Sequence, residues 1–329
     1  MKNKAELLLK NKSKTVPILS FPAASLISVS IKEMLTDPEI QAKAMTAMYE
    51  RGNVGAIVTP MDLSVEAECF GAPIRMTDDE VPSVISPVLE AIEDVHGLTV
   101  PSIDGGRCPV FIESTRLVKS KAPEALVLCG AIGPYSLAGR IFDMTELMMQ
   151  CFDSPDEVKL LLSKTTEFII NYLKAHKAAG ADGVILAEPA AGLLPPDMCE
   201  EFSSDFVKEI KNAVADENFL FCYHNCGGSV NACAEDIASI EADIFHFGNA
   251  VDIKALMDLM PEDSIVMGNV DPLLFRDGTV LDVENTVLKV FAECASHENF
   301  MISSGCDIPA DSKWENLDAY FKKVDELYV

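Results

Sequence analysis

Three side chains that commonly bind zinc follow two apolar segments of this sequence. His224 and Cys226 lie two and four residues after the run at 219–222, and Cys306 follows a second run that begins at residue 300. One imidazole and two thiolates form a zinc ligand set that leaves a fourth coordination position open. The pattern therefore predicts a zinc site that holds a thiol or a similar soft group.

The spacing within the first segment supports this interpretation. His224 and Cys226 are two residues apart, so on a strand their side chains point to the same side. Cys222 shares that direction one layer deeper and is expected to be a core residue. The alternative is that the cysteines are buried bystanders and His224 is a hydrogen-bonded core histidine. Because three ligands lie at the ends of two apolar runs, the metal site is favoured.

Four other polar residues lie at predicted strand ends, and three of them have two interpretations each. Glu188 is a fourth zinc ligand or proton acceptor, or else a charge at a helix N-terminus, and the two stay equally open. Asn269 and Asp271 bind cofactor or substrate, or else form a turn before a helix. His246 is expected to be a hydrogen-bonded core histidine outside the ligand set.

Composition limits the classes of function. The chain has 329 residues, of which 49% are hydrophobic and 24% charged, which suits one large α/β domain or two smaller ones. The net charge of −26 disfavours nucleic acid and anionic membranes as partners. No run of apolar residues is long enough to span a bilayer, and the first residues lack an apolar signal region, so a cytoplasmic protein is expected. The ten cysteines do not have the spacing of a disulfide scaffold, and in the reducing cytoplasm they are expected to be free thiols.

Arginine is scarce in this sequence. Only six arginines occur, so a ligand with many anionic groups would find few bidentate partners.

Eight nearly continuous apolar runs predict the fold. They lie near residues 18, 57, 127, 185, 221, 245, 266 and 302, and helical patterns separate them. Continuous apolar runs are typical of parallel strands buried on both faces, and eight of them favour a closed (β/α)8 TIM barrel over an open sheet. No glycine-rich dinucleotide fingerprint follows any run, which weakens the open sheet further.

The predicted domain organisation is simple. Residues 1–14 form an N-terminal arm, and 15–329 form a single barrel domain. A loop or hairpin excursion is expected around 62–82, and two helices within 83–121. The segment 133–139, which contains Tyr135, is expected to be a loop that lines the pocket, with Tyr135 among the residues that contact a cofactor.

Several motifs together resemble a known family. They include His224-Asn225-Cys226-Gly227, the distal Cys306, Gly268-Asn269-Val270-Asp271-Pro272, the Gly133–Ala138 segment and Asp62–Glu68. From about residue 16 onward the chain resembles the uroporphyrinogen decarboxylase superfamily, and within it the corrinoid-dependent methyltransferases that include methylcobalamin:coenzyme M methyltransferases. The His-x-Cys pair and the distal Cys carry the specific part of this resemblance.

The resemblance implies a (β/α)8 barrel with Zn²⁺ on His224, Cys226 and Cys306. It also implies a small corrinoid protein that docks over the barrel mouth, so that the cobalamin cobalt exchanges a methyl group with a zinc-activated acceptor such as a thiol. Decarboxylation is not expected, because that branch carries an arginine-rich N-terminal signature and lacks the zinc ligands, whereas residues 15–35 contain no arginine.

Two alternatives to methyl transfer onto a thiol remain at this point. The first runs in reverse, so that a methoxy compound or a methylamine is demethylated and Co(I) takes the methyl group. The second is a decarboxylase-like or non-catalytic protein that binds zinc or corrinoid. A closed four-ligand site would favour the non-catalytic protein, and an open site beneath a cleft would favour catalysis. The oligomeric state stays open, and a homo-oligomer is compatible with the sequence.

Overall fold

The computed structural model describes residues 1–328 and contains a seven-stranded parallel sheet. Nine strands occur in chain order: β1 (Ala56–Val58), β2 (Ile74–Arg75), β3 (Ser83–Val84), β4 (Leu126–Ile132), β5 (Gly183–Ala187), β6 (Leu220–Asn225), β7 (Ile244–Phe247), β8 (Ile265–Val270) and β9 (Phe300–Ser304). The large sheet has the order β1-β4-β5-β6-β7-β8-β9, and β2 and β3 form a separate antiparallel hairpin. The strands of the large sheet are buried along their whole length, as their apolar sequences predict.

Helices connect the strands of the sheet. The α-helices are Asn3–Lys10, Ala23–Leu26, Ile31–Thr36, Pro38–Arg51, Val65–Cys69, Cys108–Lys121, Pro134–Phe142, Met144–Asp153, Pro155–Ala178, Pro196–Cys199, Asp205–Val214, Ala234–Ala238, Ile253–Met257, Leu274–Asp277, Val280–Cys294 and Trp314–Tyr328. Shorter turns of 3-10 helix span Ile92–His96 and Pro189–Leu193, and a π-helical turn spans Glu200–Ser204. Since all strand pairs of the large sheet are parallel, each connection returns the chain to the same end of the sheet.

The first predicted strand does not join the sheet by a regular ladder. Among the described residues, the segment around residue 18 forms only one parallel bridge, between Thr15 and Val54, although the sequence predicted a full strand there. Pro17 has no N–H to donate, which limits ladder formation. The segment still lies between the first and last strands, because the Ile18 N–H donates to Ser304 Oγ at 3.0 Å on the β9 side. It therefore closes the barrel with irregular rather than ladder pairing.

Thr15 adds to this closure. Its hydroxyl lies at hydrogen-bond distance from the Ile302 carbonyl in β9 and 2.6 Å from the Tyr320 hydroxyl, and the side chain is fully buried. One residue thereby connects the N-terminal segment, the last strand and the last helix.

The barrel interior is a separate apolar cluster that the N-terminal helix helps to cover. Ala5 and Leu8 of that helix belong to the same buried cluster as inward residues such as Leu220, Cys222 and Ile244. Cys222 is fully buried, in agreement with its expected place in the core. A second and larger cluster fills the space between the strands and the outer helices. The inner cluster leaves the opposite end of the barrel, where the strands finish, available for a polar site.

Ion pairs attach the N-terminal helix to the barrel. Lys4 Nζ lies 2.6 Å from the Asp182 carboxylate. This carboxylate also pairs with Lys119 Nζ at 2.7 Å and accepts a hydrogen bond from the Val127 N–H at 3.0 Å. Although burial alone raises the pKa of Asp182, the hydrogen bonds from Lys119 and Lys4 hold it below the ordinary aspartate value. The carboxylate is therefore the charged form in the folded protein at neutral pH.

The excursion predicted between β1 and β4 is confirmed, but the two helices expected in 83–121 and the loop expected at 133–139 were wrong. The predicted hairpin is present as β2 and β3, but it follows a short helix, Val65–Cys69. Residues 83–121 contain one α-helix, Cys108–Lys121, instead of two, because prolines at 87 and 101 interrupt the first pattern. The segment 133–139 is the start of the helix Pro134–Phe142 and not a loop.

Candidate metal centre

The three predicted ligands meet at the carboxyl end of the barrel. His224 lies near the end of β6, Cys226 follows that strand directly, and Cys306 follows β9. Active sites of barrel enzymes lie at this end of the strands. The structure thus brings together three residues that the sequence separates widely.

Their spacing fits a tetrahedral ion. The Sγ atoms of Cys306 and Cys226 are 3.7 Å apart, and Cys306 Sγ lies 3.6 Å from His224 Nε2. Bond lengths of about 2.3 Å to sulfur and 2.0–2.1 Å to nitrogen at tetrahedral angles require sulfur–sulfur and sulfur–nitrogen distances of about 3.8 and 3.6 Å. One ligand atom from each of the three residues lies within 4.8 Å of the others, and no other group of this kind occurs within residues 1–328.

A small cavity of about 60 Å³ lies against the three ligands. Its other walls are mostly apolar and come from several elements: Ile18, Met61, Leu63, Ala187, Pro189 and the partly buried Asp307. Among residues 1–328, only His224, Cys226 and Cys306 bring metal-ligating atoms within 4.8 Å of one another here, and Asp307 is outside that group, so the arrangement is the open type rather than a closed four-ligand site. Space for one further soft group is therefore present beside the candidate metal.

The two cysteines differ in acidity. The hydrogen bond from the Cys306 thiol lowers the pKa of Cys226 to about 7, although burial opposes this. The same contact with Cys226, together with burial, raises the pKa of Cys306 to about 12. Even without a cation, one thiolate of the pair is accessible near neutral pH.

A chain of hydrogen bonds positions His224. Ser303 Oγ donates to the Val16 carbonyl at 2.8 Å and lies 2.8 Å from His246 Nε2. Because the hydroxyl proton is already used, Ser303 Oγ accepts from His246 Nε2–H. Burial lowers the pKa of His246 well below its ordinary value, so the ring is neutral and its Nδ1 is an acceptor.

This chain assigns the tautomer of the candidate ligand. His224 Nδ1 lies 2.8 Å from His246 Nδ1 and 3.2 Å from the His246 carbonyl, so it must carry the proton that both acceptors need. The lone pair of His224 is then on Nε2, the nitrogen that faces Cys306. A ligating histidine commonly donates its second N–H in this way.

The sequence missed this role for His246 and Ser303. His246 was expected to be a core histidine, and the structure does bury it fully, but directly behind the candidate ligand. The parallel register pairs His246 in β7 with His224 in β6, so alignment of the two strand ends was the available signal. Ser303 lies inside an apolar run, and nothing local in the sequence distinguishes it.

Glu188 is separate from the three ligands. Its side chain is fully buried and accepts the N–H groups of Tyr135 at 2.9 Å and Ser136 at 2.7 Å, at the start of the helix Pro134–Phe142. The Ser136 hydroxyl also donates to it. This geometry matches the predicted alternative of a charge at a helix N-terminus, and burial raises the pKa of Glu188 to about 7. A catalytic role for Glu188 stays a prediction.

The three predicted cofactor contacts are also placed by backbone interactions. The Asn269 amide donates to the carbonyls of Gly248 and Val251 at 3.0 Å each. Asp271 accepts the N–H of Leu273 at 2.9 Å, the turn geometry that the sequence left open. The Tyr135 ring is fully buried and does not line the cavity at the three ligands. Their contact with a cofactor remains a prediction.

Two glycines bring the loops after β5 and β6 into contact beside the site. A Cβ on Gly192 or on Gly227 would lie 2.5 Å from the Cα of the other residue. Such a distance is shorter than carbon atoms tolerate, so any side chain at either position would push the loops apart. Because Gly227 follows Cys226 directly, this close approach fixes the direction in which the cysteine leaves its strand.

Comparison with known proteins identifies the family. The uroporphyrinogen decarboxylase (URO-D) profile matches residues 17–327. The chain belongs to the URO-D family. Members of this family with similar sequences include the methylcobamide:CoM methyltransferase MtbA of Methanosarcina acetivorans, which is 30% identical over 85% of this chain and 84% of its own length.

Other relatives cover nearly the whole chain. The methylcobamide:CoM methyltransferase MtaA of Methanosarcina barkeri is 27% identical over 95% of both chains, and a uroporphyrinogen decarboxylase of Chlorobium phaeovibrioides is 24% identical over 88% of this chain. The relatives of this chain therefore carry two different named activities, methyl transfer and decarboxylation.

A solved structure supports the barrel assignment. The methyltransferase from Methanosarcina mazei superimposes with a TM-score of 0.87 over the full length of both chains, at 24% identity. The fold of this URO-D family member is accordingly a TIM barrel, with the irregular segment around residue 18 at the eighth strand position. Within residues 1–328, no helix has the combination of length and hydrophobicity needed to cross a bilayer.

Proposed function

We propose that this protein moves a methyl group between a corrinoid and a thiol that binds at His224, Cys226 and Cys306. The chain is a methyltransferase of the URO-D family, and its methylcobamide:CoM methyltransferase relatives support methyl transfer that involves a corrinoid. The observation that carries the finer proposal is the open set of one imidazole and two thiols, with mutual distances that suit a tetrahedral ion.

Zinc at this site would deprotonate the bound thiol and orient its sulfur, and the corrinoid would supply the methyl group. The protein's own part is to hold the acceptor. His224 presents Nε2 because Ser303 and His246 fix its tautomer. The apolar walls at Ile18 and Met61 keep water away from the cavity, which preserves the nucleophilicity of a thiolate.

The corrinoid is proposed to arrive on a separate small protein that covers the barrel mouth. Large apolar side chains are exposed after two strands at that end, Leu193 beyond β5 and Leu273 beyond β8. Exposed apolar side chains of this kind support docking of a partner above the cavity. The decarboxylase alternative receives less support, because the chain has only six arginines and five of them are paired with carboxylates.

The direct test measures metal and turnover together. The zinc-loaded protein is incubated with methylcobalamin and a panel of thiols, and formation of Co(I) is followed by absorption. The reverse direction is tested with Co(I) corrinoid and methoxy or methylamine donors. Turnover with thiols supports the proposal, whereas turnover only with the methylated donors reverses its direction. No turnover with any compound in either direction would overturn it.

Metal binding is tested separately by substitution. Cys306→Ser is expected to lose most of the bound zinc, because one of three protein ligands is replaced by a poor one. Cys69→Ser is the matched control, since Cys69 is also a partly buried thiol but pairs with Cys108 away from the site. Unchanged zinc content in Cys306→Ser, measured by mass spectrometry of the metal, would show that the ligand assignment is wrong.

A further inference from the structure

Two cysteines outside the candidate metal centre lie in direct contact. Cys69 Sγ is 3.2 Å from Cys108 Sγ, which is closer than the 3.7 Å between the two sulfurs of the candidate zinc ligands. No third side chain completes a ligand set around this pair, because among residues 1–328 the only group of three metal-ligating side chains is the one that contains His224. The pair is therefore a dithiol, and metal binding does not explain it.

The two sulfurs meet because the segments that carry them are held together. Cys69 is the last residue of the short helix after β1, and Cys108 is the first residue of the helix Cys108–Lys121. Their neighbours in the chain form an ion pair, with Arg107 Nε 2.7 Å from the Glu68 carboxylate. The sulfurs need to approach by only about 1 Å to reach the length of a disulfide bond.

The two cysteines differ in exposure and acidity. Cys69 is partly exposed, whereas Cys108 is fully buried. Contact with the Cys108 thiol lowers the pKa of Cys69, although burial opposes this shift. The same contact, together with burial, raises the pKa of Cys108. Since the thiolate is the attacking form in thiol–disulfide exchange, Cys69 is the thiol that an external reagent meets first.

We propose that Cys69 and Cys108 are a redox-active pair that forms a reversible disulfide by exchange with a small-molecule disulfide such as oxidised glutathione. The Cys69 thiolate attacks one sulfur of the oxidant and forms a mixed disulfide, and the first small thiolate leaves and takes up the proton that Cys69 lost. Cys108 then attacks the Cys69 sulfur, and the second small thiolate leaves and takes up the proton of Cys108. The pair is oxidised by two electrons, and one small disulfide is reduced to two thiols.

The disulfide would connect the two ends of the excursion between β1 and β4. Residues 70–107 lie between the two cysteines and contain the hairpin of β2 and β3. Met61 and Leu63, shortly before the helix that ends at Cys69, line the cavity at the three candidate ligands. A cross-link that closes a long loop restricts the open states of the chain within it. Oxidation is therefore expected to restrain the excursion beside the candidate site, and this inference does not depend on the proposed function.

Thiol mapping in glutathione buffers tests the pair. The reduced, zinc-loaded protein is equilibrated at several ratios of reduced to oxidised glutathione, quenched with acid and alkylated with N-ethylmaleimide. Trypsin cleavage after the flanking arginines places Cys69 in the peptide 52–75 and Cys108 in the peptide 108–116. We expect these two peptides to become linked as the buffer becomes more oxidising and to separate again on reduction. Peptides that stay unlinked at every ratio at which the protein remains folded would overturn the proposal.

Single substitutions test the order of the two steps. Cys108→Ser should stop after the first step and accumulate glutathione on Cys69. Cys69→Ser should leave the buried Cys108 with about tenfold less bound glutathione after the same time. Equal modification of the two folded variants would overturn the assignment of Cys69 as the attacking thiol. The mapping of the wild type remains decisive for the disulfide itself if either variant fails to fold.

Cys199 and Cys233 are the matched internal control. They are also a contacting pair of thiols, but both are buried. In the folded protein they should remain thiols at the glutathione ratios that oxidise Cys69 and Cys108. Oxidation of both pairs at the same ratios would show that the reaction proceeds through unfolded chains, and it would overturn the proposal that the folded structure selects the pair.

Hydrogen exchange measures the restraint on the excursion. Amide exchange within residues 70–107 should be slower in the oxidised wild type than in the reduced wild type, because the cross-link opposes local opening. Exchange in Cys69→Ser should be the same in both buffers. Unchanged exchange in wild-type protein whose two peptides are linked would overturn the restraint of the excursion.

Discussion

His246 is the residue whose substitution tests the site most sharply, because it contacts a candidate ligand without being one. His246→Leu removes both ring nitrogens, so His224 Nδ1–H loses an acceptor at 2.8 Å. The backbone carbonyl of residue 246 remains at 3.2 Å as a second acceptor. Ser303 keeps its bond to the Val16 carbonyl, so the damage is confined to the orientation and tautomer of His224.

The expected loss of zinc affinity depends on the one hydrogen-bond acceptor that His224 keeps. Loss of a hydrogen-bond partner behind a metal ligand typically weakens metal binding about 10- to 100-fold. Since one of two acceptors survives, we expect the lower end, about tenfold, which corresponds to about 1.4 kcal/mol. His246→Asn places an amide oxygen near the position of the ring Nδ1, and we expect it to retain zinc affinity within about twofold of wild type by the same argument.

Zinc affinity is measured by competition with a chromogenic chelator, and the His224 ring by nitrogen NMR, which reports which nitrogen carries the proton. His176→Leu is the matched control. His176 is also a fully buried neutral histidine, bonded to Thr115 at 2.9 Å and packed edge-on against Tyr172, but it lies outside the site. The His176→Leu substitution should reduce thermal stability without a change in zinc affinity.

Two results would refute the reasoning. If folded His246→Leu binds zinc as tightly as the wild type, the hydrogen-bond chain does not position the ligand. If His176→Leu weakens zinc binding as much as His246→Leu, the effect comes from general loss of stability.

Four further substitutions test how the barrel is held together. Asp182→Asn should lower the free energy of unfolding by about 2–3 kcal/mol at pH 7, because two lysines lose their carboxylate partner. The difference between variant and wild type should shrink as the pH falls through the lowered pKa of Asp182, since the wild type then loses the same ion pairs. Equal losses at all pH values in urea melts would contradict this. The pKa of Glu188 is raised to about 7, so the folded wild type keeps a proton that the unfolded chain releases, and its stability should fall as pH rises from about 4.5 to 7 by at most about 3 kcal/mol. Glu188→Gln should flatten that slope, and parallel curves for the two proteins would argue against it. Thr15→Val should lower the free energy of unfolding by about 1–3 kcal/mol, measured by thermal unfolding. Tyr320→Phe should lower it less, since it removes only one of the two hydrogen bonds of Thr15. An unchanged stability of Thr15→Val would mean that this residue does not help to close the barrel.

The strands were the most predictable part of the fold. Seven of the eight apolar runs are strands of one parallel sheet, because a strand buried on both faces needs apolar residues at every position. The remaining run, around Pro17, is the first in the chain and was wrongly predicted to be a full strand. Hydrophobicity records burial, but it does not record whether a buried backbone has an N–H to donate to a ladder.

The candidate site was only partly accessible from the sequence. His224 and Cys226 could be paired by the two-residue repeat of a strand, which is a local property. Glu188 could not be resolved between its two interpretations, since the choice depended on where the helix Pro134–Phe142 begins in space. The linkage of Ser303 to His246 depends on the neighbouring strands and is invisible in either segment alone.

By itself, the sequence determined which residues are buried in strands and which ligand types stand at the strand ends, because these depend on side-chain chemistry and short-range periodicity. Only the tertiary structure decided that Cys306 meets His224 and that Cys69 meets Cys108. Those facts depend on distances between segments far apart in the chain, and the barrel closure alone sets such distances. The scarcity of arginine predicted few bidentate partners for a ligand with many anionic groups, but which of the six arginines lies without a carboxylate partner depends on where every carboxylate is placed.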